Sequence, residues 1–191
     1  MLIGVCLILF GTGCLSMPVE EKEIKKEASI SIVYPVEGYT ERKTEKWFGK
    51  YVQDRFTGYH AGDDIEFTSA GDQAREVPVV AIADGEVVRV GRVSGYGGLL
   101  VVRFVINGRI ITALYGHIDL GSTTLRPGDL VTRGQFLANL GDHASAETDG
   151  ERKHLHFGLY EGSDGRVNGY ESTEAGLTHW YDPSVFLAEG G

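Results

Sequence analysis

The sequence predicts a mostly-β domain of antiparallel strands with little helix. Three observations predict it. Short runs rich in β-branched and aromatic residues follow one another from about residue 30: "SISIVYPV", "DDIEF", "VPVVAIA", "GEVVRVGRV", "LLVVRFVI", "RIITALYG", "QFLANLG" and "HLHFGLY". Gly, Asp and Asn separate these runs, as tight turns require. No segment sustains the 3.6-residue apolar period of a helix, and no fixed-period repeat points to a solenoid or propeller.

Taken in order, the chain opens with "MLIGVCLILFGTGCLS", an apolar run too short for a comfortable transmembrane helix and suited to the core of a secretory signal. "GTGC" before Cys14 resembles a bacterial lipoprotein signal, in which the cysteine is lipidated and becomes the mature N-terminus. Gly11 stands where an aliphatic residue is usual and no Lys or Arg follows Met1. A plainly cleaved signal, an uncleaved anchor and a cytosolic apolar end therefore stay open beside lipidation. The expectation is a signal over residues 1–14 and an exported protein of the cell envelope, tethered to the membrane or periplasmic or extracellular. "SMPVEEKEIKKEAS" has the Glu and Lys content of a solvated tether. It belongs to a charged tether and lead-in over residues 15–45, before a domain over residues 46–188. Within that domain Asn107-Gly108 reads as a hairpin turn between two β-branched runs. In the tail, "YDPSVFLAEGG" sets Pro183 against a strand and then packs a short apolar stretch on the domain edge.

The 191 residues, 42% hydrophobic and 24% charged, suffice for one domain with flanking segments. A net charge of −9 argues against binding a polyanion, so nucleic acid is not an expected partner. The six histidines, at 60, 117, 143, 154, 156 and 179, all lie beyond residue 59, and the only cysteines are Cys6 and Cys14. The folded part thus has neither a disulfide framework nor a cysteine-ligated zinc available to it.

In "HLHFGLY" a strand puts His154, His156, Gly158 and Tyr160 on one face and Leu155, Phe157 and Leu159 on the other. The core takes the apolar face, so the histidine face is expected to be the open one. Spacing alone leaves two solvent-facing histidines as the simpler account. In "GYHAGDDIEF", His60 and Asp64 are four apart, and Gly62 with the alternation that follows reads as a loop running into a strand. Such a turn folds the imidazole toward the carboxylate, a donor pair for a metal. Asp63 competes for the role, and a metal-free Asx turn explains the segment equally well. His117, in "ALYGHIDL", follows a β-run and a glycine and so sits at a strand end, where functional side chains are frequent, although taken alone a surface histidine is the simpler account.

Together and in this order, these segments resemble the lysostaphin-type zinc metallopeptidases, bacterial cell-wall endopeptidases with the duplicated hybrid motif fold, an antiparallel barrel-sandwich hybrid. "PVVAIADGEVVRVG" is similar to the family's strand-turn-strand, and "RPGDLVTRGQFLANLG" to its glycine-punctuated hairpin. The likeness runs from about Trp47 to Leu187. It implies that His60, Asp64 and His156 bind Zn²⁺, that His117 and His154 assist catalysis beside the metal without coordinating it, and that zinc-activated water cleaves a peptidoglycan peptide. A monomer is expected, meeting the membrane only through an N-terminal anchor. His143 and His179 match no ligand and are read as surface residues. Tyr59, Tyr96, Tyr115, Tyr160 and Tyr170 are candidates for a substrate groove, with packing the simpler role for most. The chain departs from the family pattern in "GDHASAETDGERK", which is more charged than the loop expected there and ends in Arg152-Lys153 directly before the histidine pair. That loop borders the cleft and so bears on substrate preference. The alternative is a non-catalytic or autoinhibited envelope regulator of the same fold, its site held shut by residues 30–56; the full set of ligands favours catalysis.

Overall fold

The computed structural model of the chain describes residues 32–163 and 165–191. The expected signal over residues 1–14 with Cys14, and the tether as far as residue 31, lie outside the described residues. Strands β1 (Tyr51–Gln53), β2 (Thr57–His60) and β3 (Asp63–Glu66) are followed by a one-turn helix α1 (Ala70–Gln73) and β4 (Pro78–Val80). The long strands β5 (Gly85–Val93), β6 (Gly97–Ile106) and β7 (Arg109–Gly116) form a meander, and β8 (Ile118–Asp119), β9 (Leu130–Val131) and β10 (Phe136–Leu140) are short. Strands β11 (His154–Glu161), β12 (Tyr170–Glu171) and β13 (Trp180–Tyr181) and helix α2 (Pro183–Glu189) complete the order.

All the strand pairings are antiparallel, as the turn-punctuated runs predict. The main sheet has the order β13-β11-β7-β6-β5-β9, and two small sheets, β1-β2-β12 and β4-β10-β8, stand beside it. Strand β11 organises the site. One of its edges pairs with β7, while the other carries β3 over residues 154–157 and β13 over residues 159–160. The turn between β6 and β7 has positive φ at both Asn107 (50°) and Gly108 (74°), as a two-residue hairpin of this hand demands.

Both faces of the main sheet are covered. Leu100, Val102, Phe104, Ile111, Ala113, Leu155, Phe157 and Leu159 belong to the larger core, and Leu99, Val101, Leu114, Tyr96, Tyr160 and Trp180 to a second cluster. The run "GGLLVVRFVI" is continuous rather than alternating because β6 feeds both clusters. Close crossings use glycine: a Cβ on Gly98 would run into the carbonyl oxygen of Ile118. Gly98→Ala is therefore expected to destabilise the domain by about 1–3 kcal/mol, the usual cost of forced overpacking, seen as a lower urea midpoint with an unchanged slope.

Two segments differ from the sequence reading. Residues 32–36 form no strand, although the amide of Val33 donates to the Ile82 carbonyl and that of Val80 to the Pro35 carbonyl, each at 2.9 Å. Val36 and Tyr39 are buried in the larger core, and the Arg42 guanidinium lies 3.7 Å from the Phe67 ring centroid while bridging both oxygens of Asp72. The later part of the charged lead-in is thus packed, because a few apolar residues spaced among charges are enough to dock it. The tail folds as α2, capped by Asp182, which accepts from the amides of Ser184 and Val185, and ended by Gly190 at φ 84°. Phe186 and Leu187 carry it into the core. Among the described residues no helix is long and apolar enough to cross a membrane.

Candidate metal centre and cleft

Strand β2 ends on His60, the chain turns through Ala61 and Gly62, and β3 returns along β11 with Asp64 directly opposite His156. Gly62 is needed because a Cβ there would meet the Phe157 carbonyl oxygen at 2.5 Å. This local fold gathers three donor atoms. His60 Nε2 lies 3.0 Å from His156 Nδ1 and 3.2 Å from Asp64 Oδ1, and His156 Nδ1 lies 3.1 Å from the same oxygen. All three residues are buried. Asp63 faces away, its carboxylate accepting from the Phe48 amide, the Tyr39 hydroxyl and the Ser184 hydroxyl.

The donor set suits a small dication. A triangle with these edges is the face of a tetrahedron whose centre lies about 2 Å from each corner, the bond length of zinc to nitrogen and carboxylate oxygen. Burial alone would raise the Asp64 carboxyl, but the imidazoles of His60, His154 and His156 hold it well below the usual carboxylate range. Burial lowers His156, so its imidazole is neutral near pH 7, the form that ligates. Its other nitrogen, Nε2, faces the Tyr96 hydroxyl at 3.5 Å, an outer partner that fixes the ring.

His154, two residues before His156, points into the same cleft. Its Nδ1–H donates to the Arg152 carbonyl at 2.8 Å, which leaves Nε2 without a proton, 3.5 Å from Asp64 Oδ2. Burial pushes His154 down to about 4, against the pull of Asp64, so the ring is neutral at physiological pH. The His117 ring lies 4.1 Å from it, centroid to centroid, and burial likewise lowers His117. His117 has φ 64° at the junction of β7 and β8. That left-handed backbone is sparsely populated by side-chain-bearing residues and clusters at functional sites.

The histidine face of β11 is not the open face that alternation suggested: His154 and His156 are buried, because the β2–β3 turn, Tyr96 and Trp180 close over it. What remains accessible is a cleft of about 270 Å³ with His117, His154, His156 and Asp64 in its wall. Of the five tyrosines, Tyr96 and Tyr170 line it. Tyr115 is in the larger core, accepting from the Ile82 amide; Tyr160 packs on Trp180; Tyr59 pairs with Tyr51. His143 and His179 are exposed, as read. Two cations line the cleft: Lys46, which carries no signal in the sequence, and Arg152, from the charged loop expected to border it. Lys46 pairs with Asp54 at 2.9 Å, and Arg152 with Asp64 and Glu66.

The sequence model of peptidase family M23 matches residues 58–169, more than half of the chain and the whole stretch from β2 to the entry of β12. The chain belongs to peptidase family M23. The match contains His60, Asp64, His117, His154 and His156, in the fold this M23 chain was expected to have. Among solved structures it is similar to LytU, with 24% identity over 78% of this chain and 86% of that one and a TM-score of 0.54. It is similar to lysostaphin in solution, with 24% identity over 78% of this chain and a TM-score of 0.53, but it spans only 51% of lysostaphin's length. A zinc containing peptidase from Vibrio cholerae shares 24% identity over 69% of this chain and 37% of its own, with a TM-score of 0.50. At these identities the structural likeness is one of fold. No curated protein matches the sequence.

Proposed function

We propose that this M23 protein is an exported zinc metalloendopeptidase, acting as a monomer on the peptide cross-links or stem peptides of bacterial peptidoglycan. The observation that carries the reading is the buried triangle of His60 Nε2, Asp64 Oδ1 and His156 Nδ1, open to a cleft that also holds His154 and His117. Those three atoms would hold the ion, leaving a fourth position free. Bound zinc supplies a Lewis acid and lowers the pKa of water toward about 7. The chain's own residues do the rest. His154, neutral and with Nε2 unprotonated, is suited to taking a proton from the attacking water and returning it to the departing nitrogen. His117, its ring tilted against that of His154, is suited to donating to the oxygen that gains charge as the carbonyl is attacked. Tyr96 steadies His156, and Tyr170 supplies an apolar wall for a peptide. The wall substrate is supported by the family likeness and by the N-terminal signal, with lipidation at Cys14 as the proposed anchor.

Metal content and wall digestion test the reading. One zinc per chain is expected, with release of soluble muropeptides from purified cell wall that a chelator stops and added zinc restores. One zinc with no release from any wall type would make the protein a non-cutting envelope regulator. A chain that takes up no zinc would overturn the metallopeptidase reading altogether.

A further inference from the structure

We infer that Arg152 is a positioning residue that confines Asp64 to ligation through a single oxygen and so keeps a coordination place free for the reaction. The inference rests on the zinc reading above. Its basis is how the carboxylate is shared. Asp64 Oδ1 faces both His60 and His156, at 3.2 and 3.1 Å, whereas Oδ2 turns the other way and accepts from Arg152 Nη2 at 2.9 Å. A carboxylate free to swing offers a cation both oxygens and fills the position that a catalytic site must leave open. The guanidinium prevents that swing.

The guanidinium is itself fixed. Nε donates to both oxygens of Glu66, at 2.8 and 2.9 Å, and Nη2 reaches Oε1 at 2.6 Å. Glu66 lies two residues after Asp64 on β3 and directly opposite His154 on β11, so strand alternation aims its side chain at the same side of the sheet. Burial raises the Glu66 carboxyl to about 7 against the pull of Arg152, so above that pH its charge offsets the guanidinium, which would otherwise repel a nearby dication. The carbonyl of the same Arg152 sets the tautomer of His154. One residue thereby orients a metal ligand through its side chain and the proton-transfer histidine through its backbone.

Arg152→Met alone leaves Glu66 buried without a partner and risks misfolding. The test therefore uses Arg152→Met combined with Glu66→Met, since replacing a buried ion pair by apolar side chains of similar size is commonly tolerated. Zinc affinity is measured by competition with a chromophoric chelator, and coordination by the visible absorption of the Co²⁺-loaded protein. The expected result is a folded double variant that binds zinc about 10–100-fold more weakly, the usual effect of losing an outer partner of a ligand. Its Co²⁺ bands should weaken and shift as Asp64 turns its second oxygen to the ion and the coordination number rises. A folded double variant that matches the wild type in both readouts overturns the inference and leaves the zinc reading standing. Wild-type protein that binds no zinc overturns both.

Discussion

Alanine at His60, Asp64 or His156 is expected to empty the metal site and abolish wall hydrolysis together, with zinc falling from one per chain to almost none and activity dropping by about three orders of magnitude or more. The size of the effect follows from the geometry. Each residue contributes one corner of a triangle with edges of 3.0–3.2 Å, and two remaining donors no longer define a site for an ion that prefers four close ligands. The Asp64 variant has a second consequence. It strips Arg152 of one of its carboxylate partners, so part of its effect on stability reports the lost ion pair rather than the lost metal. Metal analysis of folded protein, alongside muropeptide release, separates the two.

His154→Ala and His117→Ala are expected to behave differently: zinc stays at one per chain while turnover falls by about 10²–10⁴, the range for removing a positioned acid or base. Neither ring contributes to the donor triangle. His154 Nε2 stands 3.5 Å from the far oxygen of Asp64, and the His117 ring packs on those of His154 and Tyr96. If either variant also lost its metal, the division between ligands and proton-transfer groups would be wrong. Alanine at φ 64° relieves no backbone strain and leaves a cavity where the buried ring stood, so the His117 variant is also expected to lose stability.

Much of this arrangement is legible in the sequence, and the unread parts share a cause. Alternation in "HLHFGLY" identifies which side chains share a face of β11, and Asn107-Gly108 identifies the β6–β7 hairpin. Alternation says nothing about what lies over a face. The histidine side of β11 is closed by Tyr96, Trp180 and the turn after His60, all distant in sequence, so the expectation of an open face fails there. Arg152 and Glu66 are 86 residues apart and meet only once β3 has paired with β11. The backbone of His117 carries no sequence mark, because a histidine in a left-handed conformation reads like any other histidine. Helix α2 carries its marks in the sequence, Asp182-Pro183 at the start and Gly190 at the end, but seven residues are too few to show a helical apolar period.

The candidate ligands come from β2, β3 and β11, and Asp64 and His156 are separated by 92 positions in the chain. An ion shared among them joins the two ends of that loop in a protein with no cysteine after Cys14. It would act as a reversible cross-link, restricting the unfolded chain as a disulfide does. Stability would then follow metal supply: the melting temperature should rise with added zinc and fall with a chelator. A shortage of zinc would then not merely idle this protein but loosen it, and open its backbone to proteolysis.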